Sequence, residues 1–209
     1  MFSEYKDLSI EEIVERELIK NHYLKEDFTE HELDLLGKEI DVWRTADEAM
    51  NGNLAELEIT SFRKMILKIV LDRAIDIAMV AHKGQVDKGG HPYIEHPIRV
   101  MKMGETMEEK IAGVLHDVLE DSPFPLDYLA VNGVPPEVLE ALICLTKQSK
   151  DEDYDHFIER VKTNPLAVRV KLNDLMDNMN ITRLNEITED DIPRLNKYIR
   201  AYKQLIELV

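Results

Sequence analysis

Residues 109–121, EKIAGVLHDVLED, predict a helix with two contrasting faces. One face has the spacing of a buried apolar stripe and consists of Ile111, Val114, Leu115 and Val118. The other face recurs at intervals of three and four residues and carries Gly113, His116, Asp117, Glu120 and Asp121. His116 and Asp117 form a potential metal-ligand pair, and Gly113, one turn earlier, leaves room for a neighbouring group. A metal site here requires further ligands from elsewhere in the chain.

Helical patterns also account for the rest of the chain, so the predicted fold class is all-α. Two capping boxes, SIEE at 9–12 and TEHE at 29–32, start helices near the amino end. Further helices are predicted at about 61–82, from Pro97 to Met103, at 136–145, at 151–162, from Pro165 onward and from Thr188 to the carboxyl end. No stretch alternates as a strand would, and there is no internal repeat.

The first sixty residues differ in charge from the remainder. Residues 1–62 hold 17 acidic and 6 basic side chains, which gives −11 of the whole chain's −16. Asn51-Gly52-Asn53 breaks the helical pattern and marks a candidate boundary. We therefore predict an acidic helical extension at 1–60 and a main domain at 61–209. The extension either packs on the main domain as a solvated element or offers a partner or oligomer surface anchored by Leu35, Leu36 and Trp43.

Composition limits the classes of partner. The formal charge of −16 argues against nonspecific nucleic-acid binding, because a polyanion would be repelled. No apolar run is long enough to span a bilayer, so no membrane association is expected. The single cysteine, Cys144, provides no disulfide framework and favours a cytoplasmic location. A small phosphorylated substrate stays compatible with these limits.

Three separated stretches supply the side chains that a divalent metal needs. The candidate ligands are His96, before a proline-started helix, His116 and Asp117 in the central helix, and Asp174 in a later helix. Two imidazoles and two carboxylates suit manganese, iron, zinc or nickel, and they leave positions for water and a substrate oxygen. Such a metal lowers the pKa of bound water and polarises a phosphoryl oxygen. The set therefore predicts metal-dependent chemistry at phosphorus.

Charged groups near these ligands suit the same chemistry. Glu120 and Asp121 lie one turn beyond the histidine–aspartate pair, where they can orient water and transfer protons. A cationic rim for phosphate groups is predicted from Lys83, Lys88, Arg99 and Lys102.

Three motifs, in this order, resemble the HD-superfamily hydrolase domain of RelA/SpoT-type alarmone enzymes and their small stand-alone relatives. They are HKGQVDKGGHPYIEHP at 82–97, HDVLED at 116–121 and VKLNDLMDNMN at 170–180. The resemblance covers roughly residues 65–185 and implies an HD-domain helical bundle. It also implies hydrolysis of the 3′-pyrophosphate of guanosine-3′,5′-bis(diphosphate), ppGpp, with one bound manganese ion.

The resemblance assigns a role to each matching residue. It implies that His96, His116, Asp117 and Asp174 hold the manganese ion and that Glu120 and Asp121 activate the water. It further implies that Lys88 contacts phosphate and that Asn178 lies near the ribose.

Asp87 departs from the pattern of the family. The family usually carries an arginine at this position, where the guanidinium stacks on the guanine base. An acid cannot provide cation–π stacking, and it repels nearby phosphate. This difference does not affect the metal ligands, but it affects how the base would be recognised.

Three functions are compatible with these features. The first is hydrolysis of ppGpp or a close analogue. The second keeps the chemistry but takes another nucleotide or a phosphorylated small molecule, and Asp87 is its main support. The third is a regulatory or scaffolding module in which the histidine–aspartate site is only structural; the complete ligand set and the intact Glu120-Asp121 pair count against it.

Overall fold

The structure, a computed structural model, describes residues 5, 8–49, 57–149, 151–184 and 186–209. Within these ranges the chain is helical, and its only extended pairing is an isolated antiparallel bridge between Val86 and Pro92. The predicted all-α class is confirmed. No helix in these ranges is both long and apolar enough to cross a membrane.

The chain divides into two compact units, Met1–Val70 and Leu71–Val209. The division falls within the third helix, whereas the sequence places a domain boundary after residue 60, and that boundary stays a prediction. The break at residues 51–53 lies outside the described residues. The helices that begin in the first unit are α1 (Ile10–Lys20), α2 (Glu30–Ala49) and α3 (Leu57–Ala81).

Both capping boxes of the first unit form as predicted. The Ser9 hydroxyl accepts from the Glu12 amide at 3.2 Å, and the Glu12 carboxylate accepts from the Ser9 amide at 2.7 Å. Thr29 and Glu32 make the same reciprocal pair before α2. These bonds satisfy amides that the helix itself leaves unpaired.

The hydrophobic residues proposed as anchors of a partner surface differ in exposure. Leu36 is fully buried and Leu35 is exposed. The half-buried ring of Trp43 meets Phe62 edge-on, with 6.2 Å between ring centroids. A partner or oligomer surface on this extension stays a prediction.

The second unit is organised around α5 (Met107–Leu115). This helix packs against α4 (Glu95–Met103), α8 (Pro136–Leu145) and α10 (Pro165–Asn178). Its predicted apolar face is completely buried, with no exposed surface at Ile111, Val114 or Leu115. The remaining helices of this unit are α6 (Val118–Asp121), α7 (Leu126–Val131), α9 (Tyr154–Lys162) and α11 (Asp191–Ile206).

Gly113 allows α4 to approach α5 closely. A Cβ atom at this position would lie 3.1 Å from the Met101 Cα and backbone nitrogen, closer than most real Cβ contacts. Because α4 carries His96 and α5 leads into His116, this small residue brings the two imidazoles together. Any larger side chain would push the helices apart.

The prediction of one continuous helix through His116 and Asp117 is wrong. α5 ends at Leu115, and the four-residue α6 begins at Val118. The His116 side chain explains the break, because its Nδ1 lies 2.8 Å from the Gly113 carbonyl oxygen. This bond takes an acceptor that a continuous helix would pair with the Asp117 amide. The short helix α7 was also not predicted.

Candidate metal centre and adjoining cavity

The four predicted ligands converge in the second unit. His116 Nε2 lies 3.1 Å from Asp117 Oδ2 and 3.6 Å from Asp174 Oδ1. His96 Nε2 lies 3.2 Å from Asp174 Oδ1 and 3.7 Å from Asp117 Oδ2. The two Nε2 atoms are 3.3 Å apart. Residues separated by up to 78 positions thus direct four ligand atoms at one point.

The outer nitrogen of each imidazole fixes its tautomer. His116 Nδ1 faces the Gly113 carbonyl, which can only accept, and His96 Nδ1 lies 2.7 Å from a carboxylate oxygen of Asp177. Both Nδ1 atoms therefore carry a hydrogen, which leaves both Nε2 atoms as acceptors in the neutral rings. With neutral rings, two imidazole lone pairs face two carboxylate oxygens, and these oxygens also accept from the Tyr93 hydroxyl and the Asn178 amide. A proton on an imidazole or a bound cation supplies the positive charge that this arrangement needs.

The spacing of His96, His116 and Asp117 fits a single metal ion. Ligand atoms at ~2.1 Å from a shared cation lie about 3.0–3.5 Å apart at the angles of octahedral or tetrahedral coordination. The observed separations of 3.1–3.7 Å are close to this range. His96, His116 and Asp117 form a possible metal-binding group on distance alone, and Asp174 adjoins it.

The charges in the centre shift the pKa values of its buried side chains. Burial opposes protonation of His116, yet Asp117 and Asp174 raise its pKa well above the usual value. Burial alone would raise the pKa of Asp174, but Lys171, 2.7 Å away, and the two imidazoles hold that pKa well below the usual value. Asp174 therefore stays ionised and able to bind a cation.

Asp177 holds His96 in place, and the sequence reasoning missed it. Its buried carboxylate accepts from His96 Nδ1 and from Arg99 Nε, both at 2.7 Å. Arg183 Nη2 lies 3.1 Å from the same carboxylate. Burial would raise the pKa of Asp177, but the bonds from His96 and Arg99 lower it to about 2. Arg99, predicted for the phosphate rim, is therefore committed to this carboxylate.

We expect Asp177→Asn to weaken metal binding about 10- to 100-fold, the usual effect of losing the partner of a ligand histidine. The free energy of unfolding should fall by roughly 2–4 kcal/mol, because two arginines lose a buried counter-charge. Since the folded pKa of Asp177 is depressed to about 2, this stabilisation is present at neutral pH and is lost as the pH falls from about 4 towards 2.

Metal titration and urea unfolding measure the two effects of Asp177→Asn. Asp76→Asn, at an exposed position of α3, is the matched control. Unchanged metal affinity in Asp177→Asn would remove this residue from the centre.

Tyr93 is a second residue that the sequence reasoning missed, although it lies within the first motif. Its hydroxyl donates to Asp117 Oδ2, and its ring lies between those of His82 and His96 at centroid distances of 5.1 and 5.7 Å. Burial and the negative charge of Asp117 raise the pKa of Tyr93. The phenol therefore stays protonated and fixes the direction of one carboxylate.

The two proposed proton-transfer residues lie in different surroundings. Glu120 Oε1 is 3.1 Å from the Lys147 ammonium group, and Glu120 is about one-third exposed, with a side-chain exposure of 37%. Partial burial, with the charges of Asp117 and Glu120, raises the pKa of Asp121. Asp121 thus holds a proton more readily than an ordinary aspartate, whereas Glu120 is paired with a cation.

A cavity of about 240 Å³ adjoins His96. Its lining includes the predicted substrate residues Asp87, Lys88 and Asn178. The Asn178 amide also donates to Asp174 Oδ1, so this residue orients a candidate ligand as well as lining the cavity. Three further lining residues, Arg183, Arg194 and Tyr198, come from sequence beyond or at the edge of the motifs and were not predicted.

The chain is similar to parts of several longer curated proteins. No family model matches the chain. A guanosine-3′,5′-bis(diphosphate) 3′-pyrophosphohydrolase of Haemophilus influenzae is 32% identical over 118 residues, which make up 49% of this chain and 17% of that protein. The corresponding enzyme of Borreliella burgdorferi is 38% identical over 89 residues, 41% of this chain and 12% of that protein. A GTP pyrophosphokinase of Streptomyces coelicolor is 27% identical over 145 residues, 64% of this chain and 16% of that protein.

The resemblance to RelA/SpoT-type proteins is confirmed. A solved structure of a metazoan ortholog of SpoT that hydrolyses ppGpp superimposes with a TM-score of 0.55 and 22% identity, over 66% of this chain and 84% of that one. This structural match supports the fold. The chain spans 12–17% of the length of the three curated relatives, which are much longer proteins.

Proposed function

We propose that this chain is a metal-dependent pyrophosphohydrolase that acts on a phosphorylated nucleotide, with ppGpp as the best substrate. The observation that carries the proposal is that the Nε2 atoms of His96 and His116 each lie 3.1–3.7 Å from carboxylate oxygens of Asp117 and Asp174. The ppGpp 3′-pyrophosphohydrolases among the relatives support the choice of substrate.

Manganese is the metal we propose. Two imidazole nitrogens and two carboxylate oxygens suit it, and a single ion held by these four ligands would keep positions for water and a phosphoryl oxygen. When bound, the ion would lower the pKa of that water and polarise the phosphoryl group.

The side chains around the ligands would transfer protons and bind the phosphate groups. Glu120 would accept a proton from the attacking water, with Lys147 holding its carboxylate in place at 3.1 Å. Asp121, whose pKa is raised, would supply a proton to the departing oxygen. Lys88 and Arg194, on the cavity lining, would bind phosphate oxygens and reduce the charge that develops during transfer.

A nucleotide panel incubated with Mn²⁺ tests the proposal. We expect pyrophosphate release from ppGpp and loss of turnover when EDTA removes the metal. Release of single phosphates from other nucleotides, with ppGpp untouched, would instead favour a different phosphorylated substrate, the alternative that Asp87 supports. No turnover of any member, with metal bound, would favour a non-catalytic module. The cytoplasmic location stays a prediction.

A further inference from the structure

Two walls of the cavity beside the metal centre are short stretches of chain, and α11 contributes Arg194 and Tyr198 to the rest of the lining. One wall is the loop Val86–Gly89, and the other runs from Asn178, the last residue of α10, to Leu184. Arg183 belongs to the second wall and reaches the first, because its Nη1 lies 3.5 Å from Asp87 Oδ2. This arginine therefore joins the two walls at the cavity surface.

Both oxygens of the Asp87 carboxylate already have partners within the protein. Its Oδ1 accepts from the amides of Gly89 at 2.8 Å and His91 at 2.9 Å, which fixes the loop. Its Oδ2 pairs with Arg183. Asp87 therefore shapes the wall and balances a charge, and little of its carboxylate remains to bind or repel a ligand.

The edges of the Arg183 guanidinium are committed in the same way. Nη2 donates to the Asp177 carbonyl oxygen at 2.7 Å and lies 3.1 Å from the Asp177 carboxylate, while Nη1 faces Asp87. Nε is buried and has no hydrogen-bond partner in the described part of the chain. Two carboxylates largely balance its positive charge, and these edge contacts leave the flat face of the group unpaired, with the side chain 25% exposed.

We propose that the guanidinium face of Arg183 is the surface on which the base of the bound nucleotide packs. This inference rests on the proposed function, since it assumes that the cavity holds the nucleotide. A guanidinium plane stacks well on aromatic rings, and three contacts to Asp87 and Asp177 hold this one rigidly. Lys88, which also lines the cavity, remains for the phosphates, so Arg183 contributes affinity for the base.

Binding measurements with ligands that differ only in the base test this role. The probes are GDP, ADP and ribose 5-diphosphate, which lacks a base, each titrated calorimetrically into the full chain with Mn²⁺. Arg183→Lys keeps the positive charge but removes the plane. We expect it to weaken GDP and ADP about tenfold, and ribose 5-diphosphate less than twofold. Arg200→Lys, at an exposed position of α11, should change none of the three.

Two outcomes would overturn the inference. Equal weakening of all three ligands would mean that Arg183 acts on the phosphates or through Asp177, and no weakening would mean that the base lies elsewhere. A second measurement uses the unmutated chain and so does not depend on the folding of a variant. We expect nuclear Overhauser effects between the H8 proton of bound GDP and the guanidinium protons of Arg183. Their absence in a saturated complex would also overturn it.

Failure of this inference is distinct from failure of the proposed function. The titrations measure binding without turnover, whereas the nucleotide panel measures turnover without reference to the base. If the chain hydrolyses ppGpp but Arg183→Lys leaves the GDP affinity unchanged, the proposed function holds and Arg183 does not take part in base recognition.

Discussion

Asp117→Ala should abolish metal binding and turnover together. Asp117 Oδ2 lies 3.1 Å from His116 Nε2 and also accepts from the Tyr93 hydroxyl. Its removal takes away a negatively charged ligand and leaves the remaining acceptors facing one another with less charge to hold a cation. We expect metal affinity to fall at least about 100-fold and turnover to fall by roughly 10³-fold or more.

Metal content by elemental analysis, measured beside a turnover assay, checks the Asp117→Ala result. Asp76→Ala, on the exposed face of α3, should match the unmutated chain in both assays. A variant that keeps metal and turnover without Asp117 would contradict the proposed ligand set. Loss of turnover with normal metal content would give Asp117 a different role.

Glu120→Gln should separate metal binding from turnover. The amide keeps the size of the side chain but cannot accept a proton, and Glu120 contacts Lys147 rather than a candidate ligand. We therefore expect unchanged metal content and a loss of turnover of about 10²- to 10⁴-fold, the usual contribution of a general base.

Glu140→Gln, an exposed position on α8, is the matched control for Glu120→Gln and should retain full turnover. Unchanged turnover in Glu120→Gln would remove Glu120 from the mechanism. Asp121, with its raised pKa, would then be the remaining carboxyl for proton transfer.

Sequence reasoning predicted the candidate ligands because their chemistry is visible in local patterns. The spacing of the 109–121 stretch separates the apolar face from the polar face, and Asn164 marks the start of α10, whereas α4 begins at Glu95, two residues before the predicted start at Pro97. In the structure, Asn164 caps α10 through the Ala167 amide at 3.0 Å, as its position before a proline predicts. Patterns of this kind depend on neighbours in sequence, so they can be read without the fold.

The partners of these ligands could not be predicted in the same way. Asp177 is one of two acids in α10, and only the approach of α4 to α10 shows that it bonds to His96. Arg183 lies outside the recognised motifs, and its contact with Asp87 joins residues 96 positions apart. The break at His116 also depends on a side chain taking a backbone acceptor, which helical periodicity does not reveal.

A crystal structure of the protein with Mn²⁺, phased on the anomalous signal of the metal, tests the central claim most directly. We predict one strong anomalous peak within ~2.0–2.3 Å of His96 Nε2, His116 Nε2, Asp117 Oδ2 and Asp174 Oδ1. A peak elsewhere on the chain, or none between these four atoms at saturating metal, would contradict it.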